Sequence, residues 1–259
     1  MSEESTGQGD ADRTLALLWR HRLGDPQGSR GPRQKFSVDQ VVNAAIALVD
    51  AEGIDALSMR NVANRLGTRV MSLYTYVPGK AELIDLMVDA VHLEVPVPAT
   101  RPEGWRDRLE AVARDQWELY RKHPWLLQVD TSRPPLGPGI SDRYEYQLGA
   151  VEGIGLSDLD MDSIVTLVGG FVAGAARSAD AAQRLVESSA TTDAQWWEVN
   201  APILEQVMDG SRYPIAGRVG SSVGELFNAA SNPQHAWEFG LARVLDGIEQ
   251  YIEKVRQQT

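Results

Sequence analysis

The chain has 259 residues, 43% of them apolar and 24% charged, which allows a substantial core under an ordinary polar surface. It has no cysteine, excluding disulfides, thiolate metal sites and cysteine nucleophiles; its histidines (His21, His92, His123, His235) are scattered, so neither a metal nor a cofactor is expected. The net charge of −11 is segregated: residues 13–80 carry ten Lys/Arg against five Asp/Glu, and residues 81–259 fifteen against twenty-seven.

The opening MSEESTGQGDADRT has neither the basic nor the apolar region of a signal peptide, and no run approaches the roughly 18 apolar residues of a membrane span. A cytoplasmic chain with no membrane partner is expected. Residues 1–12 read as disordered, 14–22 as a short helix with one apolar side, and 24–32 as a Gly/Pro linker. Further breaks fall at 93–104, 132–139 and around 210–224. Between them the apolar period is helical and no useful strand pattern occurs, so the predicted fold class is all-α.

Three short helices are chemically marked between Phe36 and Tyr76. Ser37 and Gln40 form a capping-box pattern, with Phe36 and Val41 as its hydrophobic staple. Val38, Val41, Val42, Ala45, Ile46 and Val49 trace one face, and Gly53 ends the helix with Ile54 placed to pack back. Ser58 is the next N-cap, for a helix ending at Leu66. Gly67 supplies a positive φ for a tight turn, and Thr68 reads as the N-cap of a third helix over 69–77. Two short helices joined by a turn containing Gly have the helix-turn-helix layout, whose second helix enters the DNA major groove. With Leu73 and Val77 turned to the core, Arg69, Ser72 and Tyr76 fall on the opposite side with Thr75 beside them, an acid-free face suited to bases and phosphates. Lys80, opening the next helix, offers its charge and an amide dipole to a phosphate.

The string LSMRNVANRLGTRVMSLYTYVPGKAELIDLMVDAV over 57–91 resembles the DNA-binding domain of the TetR family, and FSVDQVVNAAIALVDAEGIDA before it fits the family's first helix. HPWLLQVDTSRPPLGPG from His123 and WEFGLARVLDGIEQYI from Trp237 look like the TetR-type C-terminal domain, so the resemblance spans about residues 33–255. It implies that Arg60 and Tyr74 contact phosphates and that Lys80 anchors the fourth helix on the DNA backbone. It further implies that Arg69, Val70, Ser72, Thr75 and Tyr76 face the bases. Position 76 is Tyr where many members carry His, and position 75 is Thr where an aromatic or longer polar residue is common, so operator preference is not inherited. Arg30, Arg33 and Lys35 form a basic arm before the first helix, read either as a minor-groove contact or as a solvated linker.

The expected organisation is an N-terminal extension (1–32), a three-helix DNA-binding domain (33–80), and a larger helical ligand-binding and dimerisation domain (81–259). In the last, helices are predicted over 105–122, 142–152, 160–186, 194–208 and 236–255. Small residues Gly169, Gly170, Ala173 and Gly174, with the stripe Phe239, Leu241, Val244, Leu245, Ile248 and Ile252, fit either a homodimer four-helix bundle or an intramolecular core; the resemblance favours the dimer. Trp117, Tyr120, Trp125, Tyr146, Phe171 and Trp197 are candidates for lining the pocket of a small hydrophobic or aromatic ligand, against ordinary core packing. His123 reads as a cation at a helix end. The resemblance thus implies a regulator, not an enzyme: a homodimer on a palindromic double-stranded DNA operator, released by a small molecule. The alternative is a ligand-binding helical protein with a degenerate DNA-binding domain. Gly220-Ser-Ser-Val-Gly224 matches G-x-S-x-G, but no strand precedes it and no suitable Asp and His follow. Asp158, Asp160 and Asp162 lack the Gly and Glu of a calcium loop.

Overall fold

The computed structural model describes residues 4–23, 35–95, 97–98 and 100–258; the expected linker 24–32, and Arg30 and Arg33 of the expected basic arm, lie outside the described residues. Contacts divide the chain into two compact units, residues up to 169 together with those from 249 onward, and residues 170–248.

In the first unit, helix α3 (Val38–Glu52) carries the predicted capping box. The Ser37 hydroxyl accepts from the Gln40 amide at 3.1 Å, and the Gln40 side chain accepts from the Ser37 amide at 2.9 Å. Val41, Val42, Ala45, Ile46 and Val49 are all buried, and Gly53 ends the helix at φ +82°. A 3₁₀ turn (Ile54–Ala56) leads to α4 (Met59–Arg65), capped by Ser58, and then α5 (Val70–Leu73). The long α6 (Lys80–Leu93) follows, then α7 (Trp105–Lys122), a 3₁₀ turn (Pro124–Gln128) and α8 (Pro138–Val151). One apolar core joins α3 to α6 with Leu119, Trp125, Leu126 and Val129, so the helix-turn-helix rests on the elements that follow it.

The N-terminal residues differ from the sequence expectation. Where disorder was expected over 1–12, strand β1 (Glu4–Ser5) pairs in parallel with β2 (Val129–Asp130), and helix α1 (Ala11–Leu18), capped by Asp10, packs on α6. The Thr6 hydroxyl donates to the Arg133 carbonyl at 2.7 Å, the Gly7 amide to Asp85 at 2.9 Å, and the Asp10 amide to Glu82 at 3.2 Å. A short helix α2 (Arg20–Leu23) follows, from which Arg20 pairs with Asp39 on α3. All these partners are distant in the chain, so a polar, acidic segment is ordered by acceptors that local composition cannot reveal.

Close approach of α6 and α8 depends on glycine. A Cβ at Gly139 would stand 2.0 Å from the Asp89 carbonyl oxygen, and one at Gly137 2.4 Å from the Asp89 carboxylate. Gly139→Ala is expected to part the two helices at a cost of about 1–3 kcal/mol, read as a lower Tm. Asp89 itself accepts from the Ile140 amide at 2.9 Å, yet burial outweighs that bond and pushes its pKa up. A raised folded-state pKa contributes stability that is fully present below the unfolded value of about 3.9 and is lost as pH rises through the folded value. Asp89→Asn keeps an acceptor and removes the charge. It is expected to melt above wild type at pH 7 and level with it near pH 4; a variant that melts lower at both pH values would sink this reading.

In the second unit, α10 (Asp193–Val207) is closed by a Thr192 and Gln195 capping box. The sequence expectation of an irregular region around 210–224 is corrected in part: residues 210–213 are a turn, but α11 (Pro214–Phe227) is a continuous helix. Its glycines read as breaks, but Pro214 opens it at the first helical turn, where a missing N–H costs nothing, and Asn228 closes it in the left-handed region. Gly224 allows a close contact, since a Cβ there would lie 2.5 Å from the Trp197 ring. The rejected G-x-S-x-G therefore lies inside a helix.

Both units share α9 (Asp158–Ser189) and α12 (Pro233–Gln258). By length and composition α9 could cross a membrane, with a mean hydropathy of 1.4 in its most apolar window, but the core helix of a soluble protein passes the same test. Met161, Ile164, Val165, Val168, Val172 and Ala176 form its buried stripe. Asp160 accepts from Ser157 and Tyr251, and Asp162 from Tyr144, so these carboxylates serve as hydrogen-bond acceptors.

Candidate nucleic-acid interface

Local chemistry sets the helix-turn-helix. The Ser58 hydroxyl accepts from the Asn61 amide at 3.1 Å, and the Asn61 side chain donates to the Ala56 carbonyl at 2.8 Å, pinning the start of α4. Gly67 adopts φ +63°, and the Thr68 amide reaches back to the Ala63 carbonyl at 3.0 Å, closing the turn. The predicted cap at Thr68 is corrected: the N-cap is Arg69, without a side-chain cap bond. The predicted third helix is also shorter, ending at Leu73 instead of 77.

That shortening moves one residue from the proposed reading face into the core. After Leu73 the chain tightens: the Thr75 amide donates to the Ser72 carbonyl and the Tyr76 amide to Leu73, both i to i−3 bonds. Three residues per turn superimpose positions i and i+3, so Tyr76 points where Leu73 points, inward. Tyr76 is only 7% exposed, its ring meets Phe36 edge-on at 6.3 Å, and its hydroxyl oxygen accepts the Phe36 amide at 3.2 Å. The expectation that Tyr76 faces the bases is therefore overturned. Val70 is half-buried against the same core, which also departs from a base-facing role.

What stays outside is Arg60 on α4, Arg69, Tyr74 and Thr75, with Ser72 half-exposed. The Thr75 hydroxyl donates to the Ser72 carbonyl at 2.7 Å, which orients its oxygen. Met71, absent from the sequence-based set, is the most exposed residue of α5 at 75%. Its position two residues before Leu73, about 200° around a helix, was the available signal. Lys80 is half-buried and its ammonium pairs with Glu4 at 2.5 Å, so a phosphate there competes with the N-terminal strand.

The aromatic residues expected to line one ligand pocket each have contacts within their own unit. Trp125 is buried in the core beside α3 and donates its indole N–H to Asp50 at 2.8 Å. Trp117 is buried, and the Tyr120 hydroxyl accepts from Gln116 at 3.1 Å. Tyr146 donates to Asp115 at 3.2 Å, with Arg101 and Arg143 over its ring. In the second unit Phe171 stacks on Trp237 at 5.7 Å. Trp197 lines a cavity of about 440 Å³, walled by Ala201, Leu204, Met208, Gly217 and Gly220.

His123, read from sequence as a helix-end cation, has a more specific place. Its Nδ1 lies 2.8 Å from Asp50 on α3 and its Nε2 3.1 Å from Glu94 at the end of α6. Burial works to raise the Glu94 pKa, but hydrogen bonds from Lys122 and His123 outweigh it and hold that carboxyl below its usual range. With the Trp125 indole on the same Asp50, this network ties the first helix of the head to α6 and α7.

Residues 41–87 match the family described as "Bacterial regulatory proteins, tetR family", and residues 97–252 match "Tetracyclin repressor-like, C-terminal domain". The chain is 44% identical over 257 residues to the HTH-type transcriptional repressor DrrR1 of Streptomyces coeruleorubidus, covering 98% of this chain and 92% of that protein. An HTH-type transcriptional regulator of Saccharopolyspora erythraea is 31% identical over 169 residues, covering 65% of this chain and 71% of that one. Among solved structures, Streptomyces coelicolor ActR in complex with actinorhodin superposes with a TM-score of 0.69 at 26% identity, covering 82% of this chain and 95% of that one.

Proposed function

The chain belongs to the TetR family of transcriptional regulators, and from that membership we propose how its residues divide the work. Residues 33–80 bind operator DNA, with Arg69, Ser72 and Thr75 toward base edges and Arg60 and Tyr74 on phosphates. Met71 lies beside them for apolar contact with a thymine methyl. Lys80 takes a phosphate when Glu4 yields it. The observation that carries this reading is the exposed, acid-free surface formed by Arg60, Arg69, Met71, Tyr74 and Thr75 on the Ser58-capped α4 and beyond the turn at Gly67.

Residues 81–259 bind a small organic ligand and join two copies of the chain in a cytoplasmic homodimer. Leu241, Leu245, Ile248 and Ile252 are buried within the chain, so they serve the protomer core. Leu167 on α9 and Phe239 on α12 stay exposed, and a Cβ at Gly170 or Gly174 would meet nothing within 4 Å, which supports a second copy on those helices. The two heads must stand about 34–36 Å apart to enter successive major grooves. Ligand that binds the other arrangement better releases the DNA. The apolar cavity of about 440 Å³ beside Trp197 has the size of a small-molecule site. ActR, similar in fold, is known in complex with actinorhodin and with (S)-DNPA.

The test is fluorescence anisotropy on a palindromic fragment from the promoter next to the protein's own gene, from roughly 50 to 200 mM salt. Specific binding well above that of a scrambled duplex supports the regulator. Equal affinity for both duplexes at every salt leaves only the rival, a ligand-binding protein with a degenerate head.

A further inference from the structure

The N-terminal residues lie across elements that are far from them in the chain. Strand β1 runs beside β2, with Glu4 opposite Val129 and Ser5 opposite Asp130. The Thr6 amide donates to the Asp130 carbonyl at 3.0 Å, and its hydroxyl to the Arg133 carbonyl at 2.7 Å. Further on, the Trp19 indole donates to the Leu136 carbonyl at 2.8 Å. These bonds fix the segment to residues 129–136, in the connection between α7 and α8. From the same segment Gly7 and Asp10 reach Asp85 and Glu82 on α6, and Arg20 reaches Asp39 on α3. Thr6 is 3% and Asp85 1% exposed, so these anchors are buried.

Glu4 stands at the start of this segment, and its carboxylate holds the Lys80 ammonium at 2.5 Å. The two side chains are 23% and 35% exposed, so water and salt screen the pair less than an open surface pair. Lys80 opens α6, and the function proposed above gives it a DNA phosphate. A carboxylate and a phosphate oxygen offer an ammonium the same thing, a negative acceptor at hydrogen-bond distance. A phosphate arriving at Lys80 therefore displaces Glu4 or sits beside its negative charge. Either one costs affinity.

We propose that residues 4–10 form an autoinhibitory strap: Glu4 takes the place of a DNA phosphate on Lys80, is held there through Thr6 by residues 130–133, and so weakens DNA binding. The inference rests on the reading of Lys80 as a phosphate contact. It gives the body a second way to act on the head. A shift of residues 129–136 tightens or loosens Glu4 on Lys80 without any change in the spacing of the two heads.

The experiment is fluorescence anisotropy of the full chain on the operator fragment and on its scrambled duplex, for wild type, Glu4→Gln, Lys80→Met and the double variant. Glu4→Gln keeps the size of the side chain and removes its charge. It is expected to raise affinity about threefold per head, the size of a partly exposed ion pair, and about tenfold on an operator that takes both heads. The scrambled duplex should gain by the same factor per head, because a phosphate contact carries no sequence. In the Lys80→Met background the gain should vanish. Asp12→Asn removes an exposed acid from the same segment and should change affinity less than about twofold. Thr6→Val loses the hydroxyl bond to the Arg133 carbonyl with Glu4 intact, and should raise affinity by a smaller factor. An unchanged or weaker Glu4→Gln protein, a gain that survives in Lys80→Met, or an equal gain from Asp12→Asn would each overturn the strap. No rise in Thr6→Val would overturn the hold of residues 130–133 on it. A wild type without operator preference, whose Glu4→Gln variant still gains on both duplexes, loses the regulator reading and keeps the strap. One that prefers its operator and ignores Glu4→Gln loses only the strap.

Discussion

Tyr76→Ala is expected to cost about 3–5 kcal/mol of folding stability, the range for emptying an aromatic side chain from a core. Tyr76 is buried under Phe36 and accepts that residue's amide hydrogen. Alanine removes both the packing and the acceptor, at the point where the chain enters α3. Tyr76→Phe keeps the ring and leaves the Phe36 amide without its partner, an expected loss of about 0.5–1.5 kcal/mol. Chemical denaturation of both variants measures the difference, and operator binding is then read under conditions where each remains folded. With its hydroxyl facing the protein, Tyr76→Phe should leave sequence preference unchanged. A Tyr76→Phe protein of unaltered stability but altered base preference would return Tyr76 to the reading face.

The second large effect is on DNA affinity. Arg69 is exposed, and it is the residue from which α5 starts. Arg69→Ala should leave stability within about 0.5 kcal/mol of wild type, as for other surface changes. In a homodimer the substitution is made twice on one operator, so a loss of about 1–3 kcal/mol per base contact becomes about 2–6 kcal/mol overall. Arg60→Ala should behave differently. It weakens specific and nonspecific duplexes alike, and the slope of log affinity against log salt becomes shallower by about 1.8, two phosphates at 0.9 each. An Arg60→Ala protein with an unchanged salt slope would remove Arg60 from the phosphate contacts, while a unit change of about 0.9 would argue for one head on the DNA at a time.

Asp50 links these surface effects to the body. It sits near the end of α3 and receives both the Trp125 indole and the His123 ring, whose other nitrogen faces Glu94. The head therefore moves against α6 and α7 by breaking partly buried polar contacts, which favours two discrete arrangements over a continuous drift. From sequence Trp125 is a candidate for a ligand pocket as a large aromatic. Its role as a donor to a helix 75 residues earlier is a long-range fact.

Much is legible in the sequence wherever the determinant is local. The capping box at Ser37 and Gln40, the stop at Gly53, the cap at Ser58 and the positive φ at Gly67 are each set by the chemistry of one or a few neighbouring residues. So are the apolar faces of α3, α7 and α12, which follow from a period of 3.6 residues. Three features depended on the assembled fold. The tightening after Leu73, which turns Tyr76 inward, follows a pitch change that a uniform helical period does not contain. The order of residues 4–18 comes from Asp130, Arg133, Glu82 and Asp85, acceptors that arrive only when β2 and α6 are in place. Gly224 of α11 reads as a break in the sequence, and in the fold Trp197 fills the space that it leaves. Local hydrogen bonds and side-chain periodicity thus determined where helices begin and end. Which face each residue shows, and whether an arginine such as Arg143 has a partner, was decided by packing between segments far apart in the chain.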